Sequence, residues 1–371
     1  MNTQPQEVKS ADGTLIGYEW VIGKLTDSPA NPTPSNTAKT LNSIFSIPYK
    51  AYLSQTQTLH QRLGDLRHLK DGTGAYIRSN YSLLYSKQDF NANQSLSMYT
   101  DIMLGGDYGI SHFRGKSFLG IALNITPIQD FGNDNSYRGD SIAYGFSIYG
   151  TTLFENGIYT DWVAKYFLAN HEYKLHSNQP INFTSQALLG SFELGYKFRL
   201  PIQTPDFDHS FYYLKPQFNL SLGAIFGGHS LSIQHTDDYT IKARYSQSIP
   251  IQPSIAIDLG RRFDREKFFG DVFVTLGAQY TFNASNPLNL QTPFNELSLK
   301  QDDIFNLKLG VGGNLILSSG IRFYFDLSSM FLGRIAPVLS LNAGVRIPLG
   351  ILERKPPSLP TSPTLPIIYG F

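Results

Sequence analysis

The chain has 371 residues, a length that suits one large domain or two modest ones. It has no cysteine, which excludes disulfide bonds and thiolate metal sites, and its net charge of +1 gives no electrostatic field for nucleic acid. Charged residues make up only 16% and aromatic residues 13%, whereas soluble domains carry about 25% charged residues. This composition indicates a protein that faces lipid.

The N-terminal region differs in character from the rest. Residues 1–37 are rich in Pro, Ser, Thr and Asn and contain one strand-like piece at Leu15–Val21. We predict a passenger remnant or a linker there. Met1 to Lys9 show no signal peptide, and no run of 18 apolar residues predicts a transmembrane helix anywhere in the chain.

Residues 38–71 form a second segment, within which 49–68 predict a helix. Pro48 stands where the first turn of a helix tolerates proline. At 1.5 Å per residue the helix would be about 30 Å long, which matches a bilayer. Its mixed polar surface suits a polar pore better than lipid; a helix packed outside the pore in the periplasm is the alternative. The charged residues near its end are Arg62, Asp65 and Arg67.

From residue 72 onward, apolar and polar residues alternate, which is typical of strands with one apolar and one polar face. Many of these runs reach ten residues or more. Tilted strands need that length to cross a bilayer, whereas strands of soluble proteins average about five to six residues. We predict strands near 74–86, 95–111, 115–127, 140–153, 157–172, 184–200, 211–226, 249–263, 269–283, 303–318, 320–332 and 337–348.

The predicted connections alternate between short turns and longer polar loops, as in bacterial outer-membrane barrels, with two exceptions: 201–210 is long for a turn and 333–336 is short for a loop. An even number of strands brings the last one beside the first, so that no edge stays open. The predicted fold class is therefore all-β: a twelve-stranded antiparallel transmembrane β-barrel over 72–350, with an N-terminal α-helix in the lumen. A Pro-rich tail, 351–371, follows. The longer loops are predicted at 87–94, 128–139, 173–183, 227–248 and 284–302.

The inward faces of the predicted strands carry charges of both signs. We expect the helix charges Arg62, Asp65 and Arg67 to pair with Glu193, Asp258 or Asp326. We also expect inward glycines to widen the lumen for the helix, namely Gly195, Gly223, Gly310, Gly312 and Gly344. The other charged residues predicted to line the lumen are Arg78, Asp161, Lys165, Lys197, Arg262, Lys308, Arg322 and Arg346.

No pattern predicts catalysis, a cofactor or a metal site. The loop residues His235, Thr236, Asp237 and Asp238 include a His with carboxylates, which could activate water, but they lie in one loop without a partner dyad, so we favour a solvated loop. HExxH, GxSxG and GxxxxGK[ST] motifs are absent. We therefore predict a protein that is not an enzyme and needs no cofactor.

Several stretches resemble the translocator domains of autotransporters, the proteins of type V secretion. LHQRLGDLRH (59–68) followed by GTGAYIRSNYSLLYS (72–86) is similar to the family's pore helix and first strand. The resemblance covers about 38–350, and the chain as a whole also resembles the vacuolating-toxin-like members of the family. Other matching stretches are MLGGDYGI (103–110), NGIYTDWVAKYFLANHEY (156–173), GSFELGYKFRL (190–200), YLKPQFNLSLG (213–223) and AGVRIPLG (343–350).

The resemblance implies a role in the bacterial outer membrane: passage of an N-terminal passenger, largely absent from this chain, to the cell surface. It implies outer-membrane lipids and the barrel assembly machinery as partners. Asn342, Gly344, Ile347 and Leu349 resemble the signal that this machinery reads in the closing strand. The alternatives are a passive outer-membrane channel or surface barrel, and a barrel protease or lipase. A passive channel needs no helix in its lumen, so the helix distinguishes these hypotheses.

Overall fold

The computed structural model describes residues 3–9, 15–22, 35–56, 72–87, 94–175, 180–202, 210–227, 230–236, 239–265, 268–284, 287–293, 296–299 and 303–349. Two helices precede the long strands: α1 (Asn36–Phe45) and α2 (Ile47–Gln55). Seven short strands lie outside the main wall or extend it: β1 (Thr3–Lys9), β2 (Leu15–Ile22), β9 (Phe198–Arg199), β11 (Ser230–Thr236), β12 (Tyr239–Tyr245), β15 (Leu288–Gln291) and β16 (Glu296–Leu299).

The main wall consists of long strands of 10 to 18 residues. They are β3 (Gly72–Ser86), β4 (Ser95–His112), β5 (Gly115–Gly132), β6 (Tyr137–Phe154), β7 (Ile158–Leu175), β8 (Pro180–Tyr196), β10 (Phe211–Phe226), β13 (Ile251–Asp264), β14 (Phe268–Thr281), β17 (Ile304–Leu317), β18 (Arg322–Phe331) and β19 (Ile335–Leu349).

These twelve strands close into one antiparallel barrel. The closing strand β19 pairs with β3 from Ile335 opposite Ser86 to Leu349 opposite Thr73. On the far side, β10 pairs with β13. The predicted all-β fold with a twelve-stranded barrel and an N-terminal helix is confirmed, because each predicted strand corresponds to one observed strand. We call the end of the barrel with the short connections the turn end, and the opposite end the loop end. β3 begins at the turn end, and the closing strand β19 ends there.

The two faces of the wall differ as the alternation predicts. On the outward face, Leu194 and Leu309 are 44% and 47% exposed, whereas Asp258 on the inward face is 1% exposed. Apolar side chains thus face outward and charged ones inward, the reverse of a soluble protein and the arrangement of a lipid-facing barrel. Among the described residues, no helix combines the length and the apolarity needed to cross a membrane.

Charge on the outward face should be costly. Leu309→Arg and Leu220→Arg each put a cation halfway along a strand, and we expect each to destabilise the folded barrel by about 2–4 kcal/mol in lipid. The matched control is Leu332→Arg, because Leu332 is exposed in the connection between β18 and β19. Urea unfolding in vesicles measures the difference. Neutral effects of both strand variants would show that the faces are wrongly assigned.

Four of the predicted loops are wrong in part. The predicted loops 128–139 and 173–183 overlap the ends of the long strands, because β5 extends to Gly132, β6 begins at Tyr137, β7 extends to Leu175 and β8 begins at Pro180.

The predicted loops 227–248 and 284–302 contain separate strands. Parts of 227–248 and 284–302 form a four-stranded sheet in the order β11, β12, β15, β16 beyond the loop end. Its buried face carries Ile233, Ile241 and Leu290, and its exposed face carries Lys242 and Arg244. These strands have only 4 to 7 residues, since nothing outside the bilayer requires a membrane-spanning length.

The N-terminal strand prediction is confirmed. Leu15–Val21 was predicted as strand-like, and β2 covers Leu15–Ile22 in an antiparallel hairpin with β1. The predicted segment boundaries at 37, 71 and 350 stay predictions; α1 already begins at Asn36. The tail 351–371 lies outside the described residues.

Candidate functional site: the occupied lumen

The helices α1 and α2 lie inside the barrel and together form what we call the plug. Ser35 caps α1 by accepting a hydrogen bond from the Ala38 amide at 3.2 Å. The helix breaks at Ser46 because Pro48 cannot donate to the preceding turn; the Ser46 hydroxyl donates to the Ser43 carbonyl at 2.6 Å instead. The plug ends at Thr56, whose backbone is extended.

The predicted helix bounds are wrong. The prediction was 49–68, whereas the plug covers Asn36–Gln55 and only 49–55 belong to both. Residues 57–71 lie outside the described residues, and with them Arg62, Asp65 and Arg67. The helix carries no simple apolar stripe that would mark its bounds in the sequence. A helix enclosed on all sides buries polar residues as well, as it does at Thr40, Ser43 and Lys50.

The outer end of the plug is apolar. The Phe45 ring lies 5.1 Å from that of Phe183 on β8 and 5.9 Å from that of Tyr245 on β12. The Tyr245 hydroxyl donates to the Thr184 carbonyl at 2.9 Å. Burial raises the pKa of Tyr245 to about 12, so this donor stays protonated at neutral pH. These contacts place α1 at the loop end, beneath the four-stranded sheet.

One buried ion pair fixes the plug to the wall. Lys50 Nζ lies 2.9 Å from Asp130 Oδ1, and each side chain is 1% exposed. The Asp130 carboxylate also accepts hydrogen bonds from Ser97 at 2.7 Å, Tyr173 at 3.1 Å and Tyr137 at 3.3 Å. A buried carboxylate needs such a set of donors, because desolvation otherwise opposes its charge.

The inner end of the plug is held by a polar cluster halfway down β5. The Gln55 side chain donates to Thr126 Oγ1 at 2.9 Å and accepts from Asn124 Nδ2 at 2.8 Å. Lys165 Nζ of β7 reaches the Gln55 side-chain oxygen at 3.2 Å. Since Asp130 lies nearer the loop end of β5 than Asn124, the plug runs inward from the loop end to the middle of the lumen.

Sequence reasoning missed Lys50, Gln55 and Asp130. Asp130 was missed because the predicted strand ended at 127 and 128–139 was predicted as a loop, whereas β5 extends to Gly132 and Asp130 points inward like Asn124 and Thr126. Lys50 and Gln55 lay inside the predicted helix, but only the charges near its far end were considered.

The residues predicted to line the lumen face inward, but, apart from Lys165, their described partners are side chains of other barrel strands and not of the plug. Arg78 lies 3.0 Å from Asp101, and Lys197 lies 3.1 Å from Asp271. Asp258 pairs with Lys215 at 2.6 Å. The remaining two are buried as well: Glu193 accepts from the Tyr159 hydroxyl at 2.8 Å, and Asp326 is 7% exposed. The predicted pairing with Arg62, Asp65 or Arg67 stays a prediction, because those three lie outside the described residues.

The inward glycines make room mainly for aromatic rings of the wall. A Cβ atom at Gly195 would overlap the Tyr159 ring, and one at Gly344 would overlap the Tyr324 ring. Each ring belongs to the residue directly opposite on the paired strand, and at Gly312 the ring is that of Phe273. Only Gly223, among the five glycines predicted to widen the lumen, would clash with the plug, at Tyr52.

The closing strand presents its predicted signal residues on two faces. Asn342 and Gly344 face the lumen, where Asn342 is 1% exposed. Ile347 and Leu349 face outward and are exposed. An outward apolar pair at the end of the last strand is accessible to another protein or to lipid.

The described residues offer no metal centre. Within the described ranges, no three His, Cys, Asp or Glu side chains come together in a way that could hold a metal ion. Of the weak loop motif, His235 and Thr236 belong to β11, whereas Asp237 and Asp238 lie outside the described residues.

Residues 75–328 match the model of the family described as autotransporter beta-domain. The chain belongs to the autotransporter β-domain family. It is an outer-membrane translocator barrel of the type that exports a passenger, and its turn end, with the short connections, faces the periplasm. The resemblance read from the strand motifs is thereby confirmed.

Relatives and solved structures agree with this assignment. Serine protease EatA of Escherichia coli is 24% identical over 90% of this chain and 23% of its own length. The serine protease sat autotransporter of Escherichia coli is 23% identical over 92% of this chain and 24% of its own length. The chain therefore spans about a quarter of the curated relatives it matches. Its nearness to the vacuolating-toxin-like members stays a prediction.

Two solved translocators have the same fold. The transport unit of AIDA-I from Escherichia coli gives a TM-score of 0.60 at 15% identity, over 83% of this chain and 99% of that one. The translocator domain of NalP from Neisseria meningitidis gives 0.59 at 10% identity, over 85% of this chain and all of that one, 100%.

Proposed function

We propose that this barrel exports a passenger joined to its N-terminal side, and that the plug is the last part of that polypeptide, stopped in the pore after export. The supporting observation is the path of the chain. Helix α1 begins with Asn36 at the loop end of the barrel, whereas β3 begins with Gly72 at the periplasmic turn end. The plug runs along the lumen from the loop end to the middle of β5, so any segment before Asn36 emerges at the cell surface.

The proposed role is transport and not catalysis. The relatives named serine proteases are matched over about a quarter of their own length, and the match covers 90% of this chain, most of which is the barrel. We assign no protease activity to 72–350.

Surface display tests this proposal. A secretory signal peptide and an epitope are placed before Met1 of the full chain, and a second form carries the epitope after Leu349. The N-terminal epitope should be labelled on intact cells, and the second should be labelled only after the outer membrane is permeabilised. The proposal fails if the N-terminal epitope is protected in intact cells while the barrel is folded in the outer membrane.

We further propose that the barrel assembly machinery recognises the closing strand and that lipid then surrounds the outward face. Ile347 is exposed on the outward face near the periplasmic end, where an assembly factor can reach it. Ile347→Ala and Gly344→Val should slow insertion. Leu341→Ala is the matched control, because Leu341 is equally exposed on the same strand.

Pulse-chase analysis of heat-modifiable, folded barrel measures the rate. A deletion of 351–371 separates two possible signals. If that deletion blocks insertion and Ile347→Ala has no effect, the signal lies at the C-terminal residues and its assignment to the closing strand is wrong.

A further inference from the structure

The barrel wall is taller on one side than on the other. Strands β4 to β7 each have 18 residues, whereas β13, β14 and β17 each have 14. On β6 the outward apolar residues end at Ile142, and two exposed outward residues follow toward the loop end, Asp140 and Arg138. β7 carries Glu172 and Lys174 at the matching outward positions. At about 3.3 Å per residue and a tilt of about 45°, Arg138 stands roughly 9 Å beyond Ile142.

These charges form two rows across β6 and β7, each of one sign. Arg138 is directly opposite Lys174 in the strand register, and Asp140 is directly opposite Glu172. The Cβ atoms of directly opposite residues lie about 4.5–5.5 Å apart, and like charges in such positions destabilise a sheet. A ligand of opposite charge that bridges the two strands would relieve this repulsion.

The basic row is arranged for an anion. The guanidinium carbon of Arg138 lies 5.5 Å from the centre of the Phe131 ring on β5. Stacking on the ring restrains the guanidinium, while the N–H donors at its edge stay available. Among the described residues, no carboxylate forms an ion pair with Arg138 or Lys174. The connection that follows β7, 176–179, contains no acidic residue.

The membrane determines which anion this row meets. The loop end faces the cell surface, so residues just beyond the outward apolar face lie among the head groups of the outer leaflet. Anionic lipids attract Lys and Arg at the membrane surface, and a guanidinium binds phosphate through two parallel hydrogen bonds. We propose that Arg138 and Lys174 together bind a phosphate group of lipid A, the phosphorylated glycolipid of the outer leaflet. The site rests on the outer-membrane location of the barrel and not on the export of a passenger.

Titration of the full chain with lipid A tests the site. The chain is folded in detergent with EDTA, and native mass spectrometry gives the dissociation constant for lipid A that carries both phosphates and for the same lipid without them. Arg138→Gln with Lys174→Gln should weaken binding of the phosphorylated lipid roughly 30-fold, or about fivefold for each cation lost near an anionic lipid. The matched control is Lys242→Gln with Arg244→Gln, which removes one Lys and one Arg from the exposed face of the four-stranded sheet. The control should bind like the wild type.

A second double variant tests the sign of the charge. Asp140→Asn with Glu172→Gln removes the carboxylates beside the site and should strengthen binding in EDTA, and heat-modifiable gel mobility verifies that each variant is folded. The inference is overturned if the Arg138 and Lys174 variant binds no more weakly than the control, if the lipid without phosphates binds as tightly, or if loss of the carboxylates also weakens binding. A chain that displays its N-terminal epitope but does not prefer the phosphorylated lipid would refute the site and leave the export proposal intact.

Discussion

Deletion of residues 1–68 is expected to raise the single-channel conductance of the barrel several-fold in planar bilayers, and to replace a low, flickering current with a steady one. The deletion removes α1 and α2, which occupy the outer half of the lumen. The remaining wall has inward side chains that pair with one another, for example Arg78 with Asp101 and Lys215 with Asp258, so the pore should stay open.

A shorter deletion provides the control. Removal of residues 1–34 takes away the β1–β2 hairpin but leaves the Ser35 cap and the whole plug. Its conductance should equal that of the intact chain. If deletion of 1–68 gives no more current than deletion of 1–34, the plug does not block the pore, and a passive surface barrel becomes the better hypothesis.

Asp130→Leu should loosen the plug strongly. The substitution leaves Lys50 buried at 1% exposure without its carboxylate. Breaking a buried ion pair in this way costs about 3–5 kcal/mol. We expect frequent openings of the channel and faster proteolysis within the plug.

The double variant Lys50→Met with Asp130→Leu should recover most of the plugged behaviour, because replacing both partners by apolar residues leaves no uncompensated charge. Asp140→Leu is the matched control on the outward face of β6, where the side chain is exposed. Plug opening in the single Asp130 variant equal to that of the Asp140 variant would show that the ion pair does not hold the plug.

The barrel strands could be predicted from sequence because the membrane imposes the same requirement on every strand, whatever its neighbours are. A lipid-facing strand needs an apolar residue at every second position over a fixed length, as in β17, where Leu307 and Leu309 alternate with Asn306 and Lys308. The short strands β11, β12 and β15 were missed for the same reason. Ile241, Ala243 and Tyr245 alternate just as clearly, but the run is too short to pass a length criterion set by the bilayer.

The plug contacts could not be predicted, since alternation tells which face a residue occupies but not what it meets across the lumen. Lys50 and Asp130 lie 80 positions apart, and only the rotation of the plug brings them together. Ion pairs between neighbouring barrel strands are easier to predict from the sequence. Lys215 and Asp258 are directly opposite in the register of β10 and β13, so correct strand ends alone would have predicted that ion pair.

The four-stranded sheet at the loop end shares its apolar core with α1. Leu41, Ile44 and Phe45 of the helix belong to the same buried cluster as Ile233, Ile241 and Leu290 of the sheet. The two loops that form this sheet are separated in sequence by β13 and β14, and their buried apolar side chains lie in one cluster with α1. We therefore expect an order of folding: the barrel wall first, and the sheet only after α1 has reached its place. A chain still moving through the pore would meet two unpaired hairpins rather than a finished lid.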